Sequence, residues 1–172
     1  DESRYFDPAR TWSVVRHARQ SIGLMVCEDL WYPVEVEGRR LYRVDPVKKL
    51  AEQGAKLLIN ISASPFTVGK YERRIDLLKH AALCHNADVV YVNAVGGNDE
   101  LVFDGGSLVV NRKGEIVTAC RRFEEDIVSF DLPSTKAARV RHMETAEEIV
   151  ETLSLGLADY VRKCGFKKAV IG

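Results

Sequence analysis

Three short apolar runs, separated by two helical patterns, constrain the fold of this chain most. The runs cover residues 22–26, 57–61 and 89–94, and each is typical of a buried strand. Between them, residues 45–54 and residues 70–85 carry apolar side chains at helical spacing. Strands that alternate with helices through short loops predict an α/β fold with a covered sheet.

The pattern changes after the third run. Residues 107–110, 115–119 and 126–132 are predicted to form antiparallel strands, because tight turns separate the segments. Pro133 ends this layer of the fold. The second part of the domain is therefore expected to be a meander rather than another strand–helix repeat.

Two pairs of glycines, Gly96-Gly97 and Gly105-Gly106, are predicted to lie at turns between strands. Glycine pairs can also cradle phosphate groups, but such sites need a strand before the glycines and a helix after them. Neither pair has that context, so no nucleotide site is predicted in this chain.

One long helix is predicted over residues 145–164, with Gly165 as its C-terminal cap. Residues 168–172 then have the composition of a strand that begins here. A helix that leads into such a strand predicts a connection to a second domain. The chain is accordingly divided into a first domain, residues 1–133, and a linker helix with the first strand of another domain, residues 134–172.

The composition is that of an ordinary globular chain. It has 172 residues, of which 46% are hydrophobic and 29% charged, enough for one full core. The 25 basic residues balance the 25 acidic residues, which argues against a nucleic-acid partner. No apolar run is long enough to cross a membrane, and no secretory leader opens the chain, so no membrane partner is expected.

The cysteines and histidines give no metal signature. Cysteines occur at positions 27, 84, 120 and 164 without the paired spacing of metal ligands, and the four histidines are scattered. No metal site is predicted. Dispersed cysteines without a disulfide framework favour a reducing, cytoplasmic compartment.

Cys27 is the candidate nucleophile. It follows the first apolar run and opens the segment Cys27-Glu28-Asp29-Leu30-Trp31. A strand that ends in a turn can expose a sulfur and direct backbone N–H groups toward a developing oxyanion. The alternative is a buried structural cysteine, one of the commonest core residues. Cys27 alone leaves both interpretations open, so its context decides between them.

That context resembles a known family. Residues 60–70, with the sequence Asn-Ile-Ser-Ala-Ser-Pro-Phe-Thr-Val-Gly-Lys, resemble a glutamine-site loop, and residues 156–166 resemble a linker helix. The most distinctive stretch, residues 96–107, is Gly-Gly-Asn-Asp-Glu-Leu-Val-Phe-Asp-Gly-Gly-Ser. Together with residues 27–31, these motifs resemble the carbon–nitrogen hydrolase (nitrilase) superfamily. Within it they are most similar to the glutamine amidotransferase domains of glutamine-dependent NAD synthetases.

The resemblance implies a partial four-layer αββα sandwich of the nitrilase type, followed by a linker helix. It also implies a glutaminase whose ammonia passes to a synthetase domain of the same chain. That domain would use ATP and Mg²⁺ to adenylate nicotinic acid adenine dinucleotide and aminate it to NAD; no cofactor is implied for the segment itself. Superfamily members commonly assemble through this domain, so a homo-oligomer is expected.

The resemblance assigns catalytic roles to three residues. Cys27 would attack the side-chain amide of glutamine, and a thioester would form and be hydrolysed. The backbone N–H of Glu28 would lie near the oxyanion, although Glu28 could equally be a strand-end salt-bridge residue. Glu2 resembles an acidic residue that supports the catalytic lysine, with a solvated loop carboxylate as the alternative.

Three further residues are expected to bind the substrate. Ser64 and Lys70 resemble the positions that hold glutamine, whose charged end groups suit a hydroxyl and an ammonium. Trp31 would form a wall of the site, or else simply pack in the core. Arg73 and Arg74 are predicted to lie on a solvated face of their helix.

The family triad of Glu, Lys and Cys is incomplete in this sequence. Its Glu and Lys would precede Asp1, and the Ser-Gly-Gly nucleotide loop of the synthetase domain would follow Gly172. No lysine of this chain is assigned the missing role, and the fragment alone is expected to be inactive. Two alternatives stay open: a stand-alone carbon–nitrogen hydrolase acting on another amide, and a non-catalytic assembly module.

Overall fold

The computed structural model describes residues 5–7, 9–36, 39–40, 42–168 and 170. The strands in chain order are β1 (Val14–His17), β2 (Gln20–Val26), β3 (Glu35–Val36), β4 (Arg39–Arg40), β5 (Leu57–Ser62), β6 (Asp88–Asn93), β7 (Val95–Asn98), β8 (Leu101–Asp104), β9 (Leu108–Val110) and β10 (Ile116–Ala119). The helices are α1 (Pro46–Glu52), α2 (Lys70–His85) and α3 (Thr145–Lys163), and a 3₁₀ turn covers Cys27–Trp31.

A six-stranded mixed sheet in the order β1-β2-β5-β6-β9-β10 forms the centre of the fold. Three neighbouring strands of this sheet, β2, β5 and β6, are parallel, and they correspond to the three apolar runs of the sequence. Val26 pairs with Ile61, and Ser62 pairs with Asn93, so the three strands end at one edge of the sheet. Parallel strands need crossover connections, which α1 and α2 supply.

Helices α1 and α2 cover one face of this sheet. Met25, Leu58 and Tyr91 of the strands are buried against Leu50 of α1 and Leu78 of α2. Burial of side chains of this size contributes about 1.5–3 kcal/mol each. Asp45 caps α1 by accepting a hydrogen bond from the Lys48 N–H at 3.0 Å, which is why that short helix begins where the sequence predicts.

The opposite face of the sheet is apolar and exposed within the described residues. Leu24, Val26, Ile61 and Val92, the alternate residues of β2, β5 and β6, are 44–62% exposed. The prediction that the sheet is covered on both faces is therefore wrong for this part of the chain, while the α/β class is confirmed. Among the described residues, helices cover the six-stranded sheet on one face only, and a bare apolar sheet face is the surface on which a second sheet can pack.

Strands β7 and β8 form a separate hairpin on which α3 packs. Gly96 and Gly97 lie inside β7, not at a turn as predicted. A Cβ at Gly97 would come within 3.2 Å of the Gly156 Cα, and a Cβ at Gly156 would come within 2.9 Å of Val102. The glycines therefore allow the helix and the hairpin to approach each other closely.

The end of the chain differs from the prediction in one element. Residues 126–132 form no strand; Asp126 accepts a hydrogen bond from the Arg121 N–H, and Ile127 is 97% exposed, so the segment follows the surface. Helix α3 forms as predicted and ends at Lys163. The strand predicted over residues 168–172 falls partly outside the described residues. No helix of the described part of the chain is long and apolar enough to cross a bilayer.

Candidate active site

The site lies at the edge of the sheet where the three parallel strands end. Cys27 directly follows β2, Ser64 follows β5 by two residues, and Asn93 is the last residue of β6. Lys70 begins helix α2 beside them. The register of the strands therefore brings together side chains that are widely separated in the sequence, at the edge where open α/β sheets commonly bind ligands.

The backbone at Cys27 is held in an unusual conformation. Its φ angle is +44°, a left-handed conformation that is uncommon for residues other than glycine. The fully buried Asn60 donates from Nδ2 to the Cys27 carbonyl at 3.3 Å, and Ser62 donates from Oγ to Asn60 Oδ1 at 2.5 Å. A strained backbone at a strand end persists when its surroundings fix it, and Asn60 provides such a contact.

The turn after Cys27 is closed by its own acidic residue. Asp29 accepts a hydrogen bond from the Val26 N–H at 2.8 Å through Oδ2. Burial raises the pKa of the Asp29 carboxyl, and the hydrogen bond from Val26 opposes that rise. Asp29 therefore stabilises the turn that presents the cysteine, a role that the sequence analysis did not assign.

The site around Lys70 also contains Trp31, Glu28 and Cys27. The Lys70 Nζ lies 5.4 Å from the Trp31 ring centroid and donates to the Pro65 carbonyl at 3.0 Å. Burial lowers the pKa of Lys70, as does the nearby Arg74, whereas Cys27 and the carboxylates of Asp104 and Glu28 oppose that decrease. Trp31 both packs against the core and faces this lysine, so both of its predicted roles are compatible with the structure.

Ser64 is held by its backbone. Its N–H donates to Asn93 Oδ1 at 2.9 Å, and its carbonyl accepts from Arg74 at 3.1 Å and from Asn93 Nδ2 at 3.3 Å. The residue is only 2% exposed. These contacts engage the backbone of Ser64 and do not involve its hydroxyl.

A buried phenol lies beside Ser64. Burial raises the pKa of Tyr91, and Arg74, Ser62 and Ser64 oppose that rise. The Tyr91 hydroxyl is buried and has no partner at ordinary hydrogen-bond geometry among the described residues. The hydroxyls of Ser62 and Ser64 lie close to it. The Tyr91 hydroxyl is therefore a buried polar group of the core, close to the hydroxyls of Ser62 and Ser64.

Arg74 corrects one prediction. Its side chain is fully buried and contacts Asp104 and Ser64, whereas Arg73 is exposed as predicted. The spacing contained this information, because Arg74 lies three residues after the buried Tyr71 and one before the buried Ile75, on the apolar face of α2. Glu2 lies outside the described residues. Among the residues that the structure describes, no cluster of His, Cys, Asp and Glu side chains could hold a metal ion.

Comparison with known proteins identifies relatives over the whole chain. The family profile described as carbon-nitrogen hydrolase matches residues 1–142. A glutamine-dependent NAD(+) synthetase of Synechocystis sp. is 42% identical over 100% of this chain, and that of Thermotoga maritima is 37% identical over 100%. The chain spans about a third of the length of these relatives, 32% and 35%.

Solved structures give the same result for the fold. The glutamine-dependent NAD+ synthetase of Acinetobacter baumannii, in complex with ADP, superposes with a TM-score of 0.82 at 33% identity, covering 96% of this chain and 30% of that one. The amidase of Nesterenkonia sp. AN1, in a mutant form with acrylamide added at its active-site cysteine, superposes with a TM-score of 0.58 at 25% identity. That match covers 70% of this chain and 44% of the amidase.

Proposed function

The chain belongs to the carbon–nitrogen hydrolase family, and on that basis we propose that it carries the glutaminase portion of a glutamine-dependent NAD synthetase. The observation that carries the proposal is the position of Cys27, at the end of a parallel strand and next to Lys70 and Trp31. The curated relatives named above support the choice of glutamine as the amide, since they match this chain over its whole length.

Cys27 is the proposed nucleophile. Its thiolate attacks the side-chain carbonyl carbon of glutamine, and the carbonyl π electrons move to the oxygen as a tetrahedral intermediate forms. The C–N bond then breaks: the group that removed the thiol proton returns it, now as a general acid, to the leaving nitrogen, so that ammonia departs and a thioester is left on the sulfur. Water hydrolyses the thioester to glutamate and restores the thiol. The backbone N–H of Glu28 is proposed as one donor to the oxyanion.

Substrate binding is assigned to residues around the nucleophile. The Lys70 ammonium is proposed to hold the glutamine carboxylate, and the Ser64 hydroxyl its ammonium group. Trp31 is proposed as the wall beside them. The general base and the catalytic lysine that the family resemblance implies are not assigned to any described residue, and Glu2 stays a prediction as the residue supporting that lysine.

Ammonia produced here would be consumed by a synthetase domain to which helix α3 leads. There it would replace an adenylated carboxylate oxygen of nicotinic acid adenine dinucleotide, with ATP as the source of the adenylate. We assign ATP and Mg²⁺ to that domain and not to any residue described here. A cytoplasmic setting and a homo-oligomeric assembly are part of the same proposal.

The test is to supply the complete polypeptide with nicotinic acid adenine dinucleotide, ATP and Mg²⁺, and to compare glutamine with ammonia as nitrogen source. Glutamine should be converted to glutamate in step with NAD formation. Synthesis from ammonia but never from glutamine would contradict the proposed glutaminase.

A second candidate is a stand-alone amidase. The similarity to the amidase of Nesterenkonia sp. AN1 supports this second function, because acrylamide adds to the active-site cysteine of that enzyme. The superposition on that amidase covers 70% of the chain against 96% for the synthetase, whose match therefore includes more of the polypeptide. Hydrolysis of small aliphatic amides faster than of glutamine would favour the amidase.

Replacing Ser64 with alanine should raise the glutamine KM about tenfold or more and leave kcat nearly unchanged. One hydrogen bond to a charged group is worth about 1.5–3 kcal/mol, and each 1.4 kcal/mol is about a factor of ten. Steady-state kinetics measures the change. Ser154→Ala is the matched control, since Ser154 is an exposed residue within helix α3. Equal KM values for Ser64→Ala and wild type would remove Ser64 from the binding site.

Replacing Asn60 with leucine should lower kcat for glutamine by about ten- to a hundredfold and leave KM nearly unchanged. The change removes the donor to the Cys27 carbonyl, and small displacements of a reacting atom can cost about a hundredfold in rate. Ser62→Ala, which removes only the contact to Asn60 Oδ1, should have a smaller effect in the same direction. A normal kcat for Asn60→Leu would show that Cys27 does not depend on this contact.

A further inference from the structure

Four buried charges form a continuous chain from the substrate segment to helix α3. Arg74 is 0% exposed, Asp104 1%, Arg122 5% and Glu148 5%. They come from α2, from β8, from the segment after β10 and from α3. Two arginines and two carboxylates balance to zero net charge, which reduces the free-energy cost of burying the set.

Asp104 is the shared member of this chain. Arg74 binds it with both terminal nitrogens, Nη1 to Oδ2 at 3.1 Å and Nη2 to Oδ1 at 2.8 Å. Arg122 binds the same carboxylate through Nη2 at 3.3 Å. A carboxylate with two guanidinium partners cannot optimise its position for one without affecting the other.

The two ends of the chain lie on different parts of the molecule. At one end, the Nη2 of Arg74 also donates to the Ser64 carbonyl at 3.1 Å. At the other end, the Nη1 of Arg122 donates to Glu148 Oε1 at 2.5 Å. Glu148 lies in the first turn of α3, and successive ion-paired contacts through Arg122 and Asp104 connect it to Arg74 and the Ser64 segment.

We propose that Glu148 is a positioning residue for glutamine binding, acting through Arg122, Asp104 and Arg74 on Ser64. This inference rests on the proposed function, and it assigns to a residue of α3 a role in a site that it does not contact. Without the Glu148 charge, Arg122 retains Asp104 as its only anionic partner in this set and draws the carboxylate toward itself. The contact of Arg74 with Asp104 weakens, so Arg74 holds the Ser64 carbonyl less firmly and leaves Asn93 as its other hydrogen-bond donor.

The nucleophile is held by a separate set of contacts. Cys27 depends on Asn60 and Ser62, whose hydrogen bonds described above involve none of the four charges. The effect of Glu148 should therefore fall on KM and not on kcat. Helix α3 keeps an independent anchor, because Asp159 accepts the Gly97 N–H at 2.7 Å and Lys163 donates to the Gly97 carbonyl.

The experiment compares Glu148→Gln with Glu147→Gln in the complete polypeptide. Glu147 is the adjacent residue of the same helix, and its partner Arg141 is 75% exposed. Glu147→Gln therefore removes the same negative charge, but from an ion pair that is in contact with solvent. Glu148→Gln should raise the glutamine KM about tenfold, within the range typical of coupling between sites, with kcat and ammonia-supported synthesis unchanged. Glu147→Gln should behave like wild type.

A double-mutant cycle with Ser64→Ala tests the route. If Glu148 acts through Ser64, Glu148→Gln should add little to the KM of Ser64→Ala. If Glu148→Gln does not fold, Arg122→Lys provides a second measurement. Lysine keeps the positive charge but cannot bridge the carboxylates of Asp104 and Glu148. The same rise in the glutamine KM is expected.

Three outcomes would overturn the inference. An unchanged KM for Glu148→Gln, or effects that simply add to those of Ser64→Ala, would overturn it and leave the glutaminase intact. A wild-type polypeptide that hydrolyses no glutamine would overturn the proposed function first and the inference with it.

Discussion

Replacing Cys27 with alanine in the complete polypeptide should abolish NAD formation from glutamine and leave NAD formation from ammonia intact. Alanine removes the sulfur that is proposed to form the thioester, and loss of a catalytic nucleophile lowers kcat by about 10⁴-fold or more. The proposed synthetase reaction can take ammonia directly, without the sulfur of Cys27, so its rate with ammonia should not change. Coupled measurements of glutamate and NAD would separate the two activities.

The matched control is Cys84→Ala. Cys84 is an exposed thiol on α2, and its sulfur lies within hydrogen-bond distance of the His80 ring. It should behave like wild type with both nitrogen sources. Equal loss of both activities in Cys27→Ala would contradict the nucleophile assignment, because it would indicate a structural role instead.

Chemical labelling checks the same assignment independently. Cys84 and Cys164 are exposed and will react with general alkylating reagents, whereas burial and the nearby Asp126 raise the pKa of Cys120. Accessibility therefore does not single out Cys27. A glutamine-like electrophile should label Cys27 alone, and excess glutamine should protect it; labelling of Cys84 at the same rate would argue against a glutamine site at Cys27.

Replacing Asp104 with asparagine should destabilise the protein by about 3–5 kcal/mol. The substitution keeps the size of the side chain but leaves Arg74 and Arg122 buried with half of their compensating charge. Removing one member of a buried charge network costs far more than the network contributes in net stability, because the remaining charges are unsolvated. The midpoint of urea unfolding measures the loss.

Glu124→Gln is the control for Asp104→Asn. Glu124 pairs with Arg121 at the surface, where the two side chains are 54% and 60% exposed, so the change should be about 0–1 kcal/mol. An Asp104→Asn variant as stable as Glu124→Gln would show that water reaches the buried arginines. The proposed role of Glu148 would then lose its physical basis as well.

Local sequence pattern was a reliable guide to the elements that position Cys27, the proposed nucleophile. The apolar runs became the parallel strands β2, β5 and β6, and the helical spacing over residues 45–54 indicated α1. The segment 126–132 was predicted as a strand and is not one, since no neighbouring strand pairs with it in the described structure. Strand pairing depends on a partner, which residues within a segment cannot specify.

The polar contacts of the site were much less accessible to sequence reasoning. Arg74 was assigned to solvent because arginine is usually exposed, and only its partner Asp104, 30 residues away, makes burial possible. The Asn60 contact to Cys27 spans 33 residues. The spacing on α2 places Arg74 on the apolar face, but neither pairing leaves a periodic signal, so no local pattern identifies the partner residue.

The order of amino acids is enough to show that a cysteine follows a buried strand and that hydroxyl and basic residues follow the next one. The order and type of the elements follow from backbone geometry and the spacing of apolar side chains, which act over a few residues. Folding in three dimensions was needed to reveal that Asn60 fixes Cys27 and that Arg74 holds Ser64. Those contacts depend on the register of the parallel strands and on buried charges finding partners, and both are set by the chain as a whole.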